Sequence, residues 1–214
     1  MEEIKVMFKP DWVSWEDIHK VMVKANEVNL RMGFNMGDLN MPPELLQHQT
    51  DNGGTFVVAM HGDKLVGVTA CKFSVGALWF NRGKKVARKV LTGIIKSYQG
   101  CGILKEMDQM LDNFIIDSCC DIMEASTAEK NMVVRKKAAM GGYKEVLYNA
   151  YRNRNYYSVE FAKWLSPCPY PDWYIRFRCW LSRFYIKARY KEGRIERFRM
   201  LSGMWKAVKR VVIK

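Results

Sequence analysis

The chain has 214 residues, enough for one sizeable core with a small appendage, and its 49% apolar and 27% charged residues are ordinary for a globular protein. No run of about 18 apolar residues occurs, so no membrane-spanning helix is expected. The net charge of +13 is uneven: residues 166–214 carry 13 Lys/Arg against 3 Asp/Glu, and residues 1–165 carry 22 against 19, which predicts two parts, 1–165 and 166–214.

Ile4 to Lys9 alternates apolar and polar residues and predicts a first strand, ended by Pro10 and Asp11. Ser14 is placed to cap a helix running to about Asn29, with Ile18, Val21, Met22, Ala25 and Val28 on one face. Residues 32–40 are rich in Gly and Asn and predict a loop, and Pro43 starts a short helix through His48. Thr55 to Met60 and Leu65 to Phe73 predict a hairpin across His61-Gly62-Asp63-Lys64, where His61 is expected to be solvated.

Gly76 to Gly83 predicts a loop carrying Trp79 and Phe80, which would line a substrate mouth or form a partner patch. Val86 to Ile95 is the next strand, and Arg88 and Lys89 suggest that its first half is solvated. Ile103, Met107, Met110, Leu111 and Phe114 recur at helical spacing. Cys120 to Ala125 reads as a buried strand, and Asn131 to Met140 as a helix closed by Gly141-Gly142. Glu145 to Arg152 and Tyr156 to Trp164 read as a final strand pair before the break at 166–171.

The six cysteines form no C-x-x-C pair, and His19, His48 and His61 are scattered. Reduced, mostly buried thiols and no metal site are expected. The acidic start, Met1-Glu2-Glu3, lacks the apolar core of a signal segment, so the expected location is cytoplasmic.

Ile94-Ile95-Lys96-Ser97-Tyr98-Gln99-Gly100-Cys101-Gly102-Ile103-Leu104 runs from an apolar strand through a glycine turn into a helix. That order leaves free backbone N–H groups at a helix start, where the dipole also favours negative charge. Tyr98 to Leu104 resembles the Q/R-x-x-G-x-G/A loop of GNAT-type N-acetyltransferases. Asn131, followed by Gly142-Tyr143, is similar to that family's N-x-x-A…G-F segment. The order of predicted elements from Ile4 to Leu165 fits as well.

The resemblance implies an α+β fold, a GNAT-like mixed central sheet flanked by helices, followed here by a basic C-terminal helical extension. It implies that acetyl-CoA lies between two splayed strands, the one ending near Ile95 and the one at 120–126. Ile94, Ile95, Gln99, Gly100, Cys101, Gly102, Ile103, Leu104 and Asn131 would contact it, and an amine would attack the thioester directly. The family's usual tyrosine falls at Ala138, a small loop residue is replaced by Leu104, and Lys96 stands where proline is common. Tyr143, Tyr148, Ser126 and Asp121 are the candidates for proton transfer. Those departures also motivate an alternative, a catalytically degenerate GNAT-fold protein serving as a virion or delivery component.

Trp173, Phe177, Trp180, Leu181, Phe184, Tyr185 and Ala188 form one apolar stripe, and Ile195, Phe198, Leu201, Trp205, Val208 and Val212 a second, both amid Lys and Arg. The stripes would pack on the first domain or on another copy. Other expected partners of 173–214 are nucleic acid and an anionic membrane surface.

Overall fold

Residues 4–8 pair with a strand fifty residues later, and this sets one edge of the sheet. Strand β1 (Ile4–Phe8) is antiparallel to β2 (Thr55–His61), β2 to β3 (Lys64–Val75), and β3 to β4 (Lys85–Ile94). Strand β5 (Ile122–Ala128) then joins β4 in parallel, which requires the crossover helix α3 (Ile103–Asp117). Strands β6 (Lys144–Ala150) and β7 (Tyr157–Trp164) form the last antiparallel pair, and the sheet order is β1-β2-β3-β4-β5-β7-β6. These are features of a computed structural model that describes residues 3–31, 42–150, 156–191 and 194–195. The loop expected at 32–40 and the second basic stripe beyond Ile195 lie outside the described residues.

Helix α1 (Trp15–Ala25) starts as predicted, with Ser14 Oγ accepting from the Asp17 N–H at 3.1 Å. The helix expected through Asn29 is divided at Asn26, whose side chain donates to the Met22 carbonyl, and α2 (Glu27–Arg31) follows. Pro43–Gln49 is a 3₁₀ turn. Helix α1 packs Ile18, Val21 and Met22 on one face of the sheet with Val58, Val68 and Ala70. Helix α3 packs Ile103, Met107, Leu111 and Ile115 on the other face with Val57, Val66, Ala87 and Met123. Helix α4 (Met132–Met140) leads into β6.

Helix α5 (Asp172–Arg189) lies along β6 at the edge of the sheet. It buries Ile175 against Phe80, Ile122, Val146 and Ala162. Further along, it buries Cys179 and Ile186 against Tyr148, Val159 and Phe161. The Tyr148 N–H, on the outer edge of β6, donates to Ser182 Oγ at 2.9 Å. The packed face is therefore Ile175–Cys179–Ser182–Ile186. It is not the face of Trp173, Phe177, Trp180 and Phe184, whose side chains are all exposed. A two-residue hairpin, β8 (Tyr190–Lys191) and β9 (Arg194–Ile195), follows α5.

Trp79 and Phe80 are engaged within the fold. Phe80 is buried, and the Trp79 carbonyl accepts from Tyr170 Oη at 2.9 Å. The Trp79 ring meets those of Tyr170 and Tyr174 edge-on and carries the Arg178 guanidinium 4.9 Å from its centre. This cluster anchors the start of α5 to the body of the fold.

Candidate functional site

Strands β4 and β5 pair at only three positions: Val86 with Ile122, Ala87 with Met123, and Arg88 with Glu124. Beyond them β4 stays with β3 and β5 stays with β7, so the sheet forks. The cause is local. The register of β3 on β4 slips between Val68 and Ala70, so that β4 carries an extra residue. Leu91 there has φ +54, a left-handed conformation that costs a non-glycine residue about 1–2 kcal/mol. A bulge of this kind bends its strand, and Leu91 remains buried in the α1-side core. The fork leaves unpaired backbone on its two inner edges.

The glycine turn lies at the end of β4. Ile94 and Ile95 are buried on opposite faces, Ile94 toward α3 and Ile95 toward α1. A single 3₁₀ turn, Lys96–Tyr98, follows. Gln99 Nε2 donates back to the Ile94 carbonyl at 2.9 Å. Gly100 and Gly102 have φ +86 and +81, and a Cβ built on either meets nothing within 4 Å. Gly102 caps α3 with no side-chain hydrogen bond. The amides of Gly100, Cys101, Gly102, Ile103 and Leu104 donate to no acceptor among the described residues. Five successive free N–H groups at a helix start attract an anion. Leu104 is half-buried and packs on the α3-side core.

Tyr98 and His61 hold this turn in place. Tyr98 packs on both core faces, and its hydroxyl is 3.1 Å from His61 Nδ1, with Lys64 Nζ 5.8 Å from the centre of its ring. His61 is thus a partner of the turn and not merely a solvated hairpin residue. Asn131 Oδ1 accepts from the Val134 N–H at 3.2 Å and caps α4.

The fork carries charge on both faces. On the α1 side, Arg88 Nη2 reaches Glu124 at 2.8 Å and Glu160 on β7 at 3.2 Å. Asn81 Nδ2 donates to the other oxygen of Glu124. Both glutamates are nearly sealed, at 3% and 2% exposure, so two buried carboxylates share one guanidinium. Ser126 lies on this side, opposite Glu160 in the β5–β7 register.

On the α3 side, Lys89 Nζ lies 2.5 Å from Asp112 and 3.4 Å from Asp108, and Asp108 also takes Lys137 of α4 at 3.1 Å. Burial opposes the charge on Lys89, but Tyr143, Asp108 and Asp112 raise its pKa above the ordinary lysine value. Burial pushes the Tyr143 phenol up to about 12, against the pull of Lys89, and its hydroxyl contacts Met123 Sδ at 3.6 Å. The expectation that Arg88 and Lys89 are solvated is therefore corrected: both are ion-paired inside the fold.

The candidates for proton transfer separate accordingly. Tyr143 lies on the α3 side and Ser126 on the α1 side. Tyr148 lies on β6, beyond β7, and its hydroxyl is held by Arg135 at 3.2 Å and Glu145 at 3.3 Å. Asp121 accepts from the Lys85 N–H at 2.8 Å at the closed end of the fork. The sequence signal for the missed glutamates is a carboxylate inside an apolar strand, as in Ile122-Met123-Glu124-Ala125 and Val159-Glu160-Phe161-Ala162. Among the described residues no group of three or more His, Cys, Asp or Glu could hold a metal ion.

Solved structures share this fold. A GNAT-family acetyltransferase from Staphylococcus aureus Mu50 matches with a TM-score of 0.58 at 14% identity, covering 77% of this chain and 100% of that one. The chain has the GNAT fold. A second match is FeeM, an N-acyl amino acid synthase from uncultured soil microbes, with a TM-score of 0.60 at 14% identity over 86% of this chain and 99% of that one. A third is YncA, a candidate acetyltransferase from Salmonella typhimurium solved with its cofactor acetyl-CoA, with a TM-score of 0.55 at 12% identity over 79% of this chain and 98% of that one. No family sequence model and no curated protein sequence matches the chain. Among the described residues of this GNAT fold, no helix is long and apolar enough to cross a membrane.

Proposed function

We propose that this GNAT-fold chain is a cytosolic N-acetyltransferase that moves an acetyl group from acetyl-CoA to an amine. The observation that supports it most is the fork between β4 and β5, open from Arg88 and Glu124 onward, ending at five amides with no acceptor among the described residues. The residues fit the group. The turn has open space at Gly100 and Gly102, its free N–H groups suit a pyrophosphate, and the unpaired strand edges suit the amides of a pantetheine arm.

In this reading the amides of Gly100, Cys101, Gly102, Ile103 and Leu104 hold the pyrophosphate. Ile94, Ile95 and Gln99 fix the turn, and Asn131, the cap of α4, contacts the bound cofactor. Bound acetyl-CoA supplies a thioester carbonyl whose leaving group is a thiolate. The acceptor amine attacks that carbonyl carbon from the α1 side, a C–N bond forms and the C–S bond breaks. The ammonium proton passes to the carboxylate pair, with Glu160 as the receiving group and Ser126 orienting the amine or an intervening water. The Tyr143 phenol, neutral at pH 7, donates its proton toward the departing sulfur from the α3 side.

Titration calorimetry of the purified chain with acetyl-CoA tests the binding step, and thiol release across a panel of amines tests the transfer. Saturable binding and amine-dependent thiol release are expected. Absence of acetyl-CoA binding overturns the reading. Leu104, a motive for a degenerate virion or delivery component, packs on the core, and no further observation favours that alternative.

A further inference from the structure

Helix α5 is apolar on two sides, and its fold accounts for one. Trp173, Phe177, Trp180 and Phe184 on the other side are 69%, 49%, 59% and 53% exposed. Their spacing of four, three and four residues sets them in one ridge. Phe177 and Trp180 are stacked at 6.3 Å, and Trp180 and Phe184 at 5.9 Å. A contiguous row of large aromatic side chains facing water marks a contact surface.

The cations of α5 stand beside this ridge. Arg176 is exposed. Arg183 and Lys187 share the single carboxylate of Glu129, at 3.0 and 3.3 Å, and remain about half exposed. The sequence that follows is basic as well: residues 196–214 hold six Lys/Arg and one Asp/Glu.

We propose that the ridge of Trp173, Phe177, Trp180 and Phe184 is a docking surface for an anionic phospholipid bilayer, on which α5 lies in the plane of the headgroups. Aromatic rings enter the interface while flanking Lys and Arg meet lipid phosphates, the pattern of a helix bound at a membrane surface. Nucleic acid fits less well. It calls for ring faces open to stacking and cations turned outward. Here the rings stack on one another, and the Arg178 guanidinium lies over the ring of Trp79. A second copy fits less well too, because apposed ridges would bring Arg176, Arg183 and Lys187 of both chains together.

The full chain is tested by sedimentation with vesicles of phosphatidylcholine alone and of phosphatidylcholine with phosphatidylglycerol. Partition onto the anionic vesicles should exceed that onto the neutral ones by about tenfold or more, with a blue shift of tryptophan emission. The double variant Trp180→Ser/Phe184→Ser keeps the fold, because both side chains are exposed, and should lose most of that partition, again by about tenfold. Circular dichroism checks the fold of the variant. The proposal is overturned if the chain ignores anionic vesicles or if the double variant binds them as well as the original. It is also overturned if the ridge variant instead abolishes duplex DNA binding or self-association measured by sedimentation velocity.

Discussion

The guanidinium of Arg88 and the carboxylate of Glu124 meet at 2.8 Å at the last position where β4 and β5 are paired. The same guanidinium reaches Glu160 on β7. One side chain therefore ties three strands together where the sheet divides. Arg88→Met would leave two buried carboxylates without their cation, and stranded buried charges of this kind cost about 3–5 kcal/mol. Urea unfolding should show that loss. A change within about 1 kcal/mol, the range of a solvent-exposed pair, would mean that the fork does not depend on Arg88.

Gly102 separates strain from ligand exclusion. Gly102→Ala meets no atom but must adopt φ +81, so it should cost about 1–2 kcal/mol in stability and leave acetyl-CoA binding in place. Gly102→Glu adds a carboxylate among the free amides and should abolish binding in calorimetry. Binding that survives Gly102→Glu would place the pyrophosphate elsewhere.

Tyr143→Phe removes a hydroxyl that contacts the weak acceptor Met123 Sδ and lies beside the ion-paired Lys89, so stability should fall by no more than about 1 kcal/mol. If the phenol protonates the departing thiolate, kcat should fall by about a hundredfold while KM for acetyl-CoA stays constant. Equal rates in variant and original would remove Tyr143 from the chemistry.

Alkaline pH should weaken the fold. Burial pushes the Cys71 thiol up to about 11, the Cys179 thiol up to about 12 and the Tyr143 phenol up to about 12. The unfolded chain releases these protons first, near 9 for thiols and 10 for phenols. The folded state thus holds more protons in that interval, and stability falls as pH rises. Each group adds a slope of up to about 1.4 kcal/mol per pH unit between its two values, from 9.0 to about 11 for Cys71, from 9.0 to about 12 for Cys179 and from 10.0 to about 12 for Tyr143. Unfolding midpoints that stay flat across that interval would contradict the burial of these groups.

Helix α5 should respond differently on its two sides. Ile175→Ala opens a cavity against Phe80, Ile122 and Val146 and should cost about 2–5 kcal/mol. Trp173→Ser, at an exposed position, should change thermal stability by no more than about 0.5 kcal/mol.

The sequence makes the frame of the site legible for a physical reason. The glycine turn and its helix are local, so Gly100, Gly102 and the 103–117 periodicity declare themselves within about fifteen residues. The fork is legible only through a resemblance, since its cause is the left-handed Leu91, which no propensity predicts. The cluster of Arg88, Glu124, Glu160 and Asn81 is hidden because it joins three strands and a loop. Arg88 reads as a solvated strand end because charge next to charge in sequence suggests water, not a buried partner 72 positions away. In α5 the aromatic residues outweigh Ile175, Cys179 and Ile186 in any apolar pattern, so the stripe that reads as core is the one left outside.

The bond from the Tyr148 amide to Ser182 has a wider consequence. An open rim of a sheet is a template onto which another polypeptide can add a strand. Here a helix occupies that rim, and intermolecular growth of the sheet is steered to β1, a five-residue strand at the opposite end. A chain cut before Asp172 would bare the β6 rim and the apolar side chains beneath it, and clumping, more than loss of catalysis, would be the first sign of the cut.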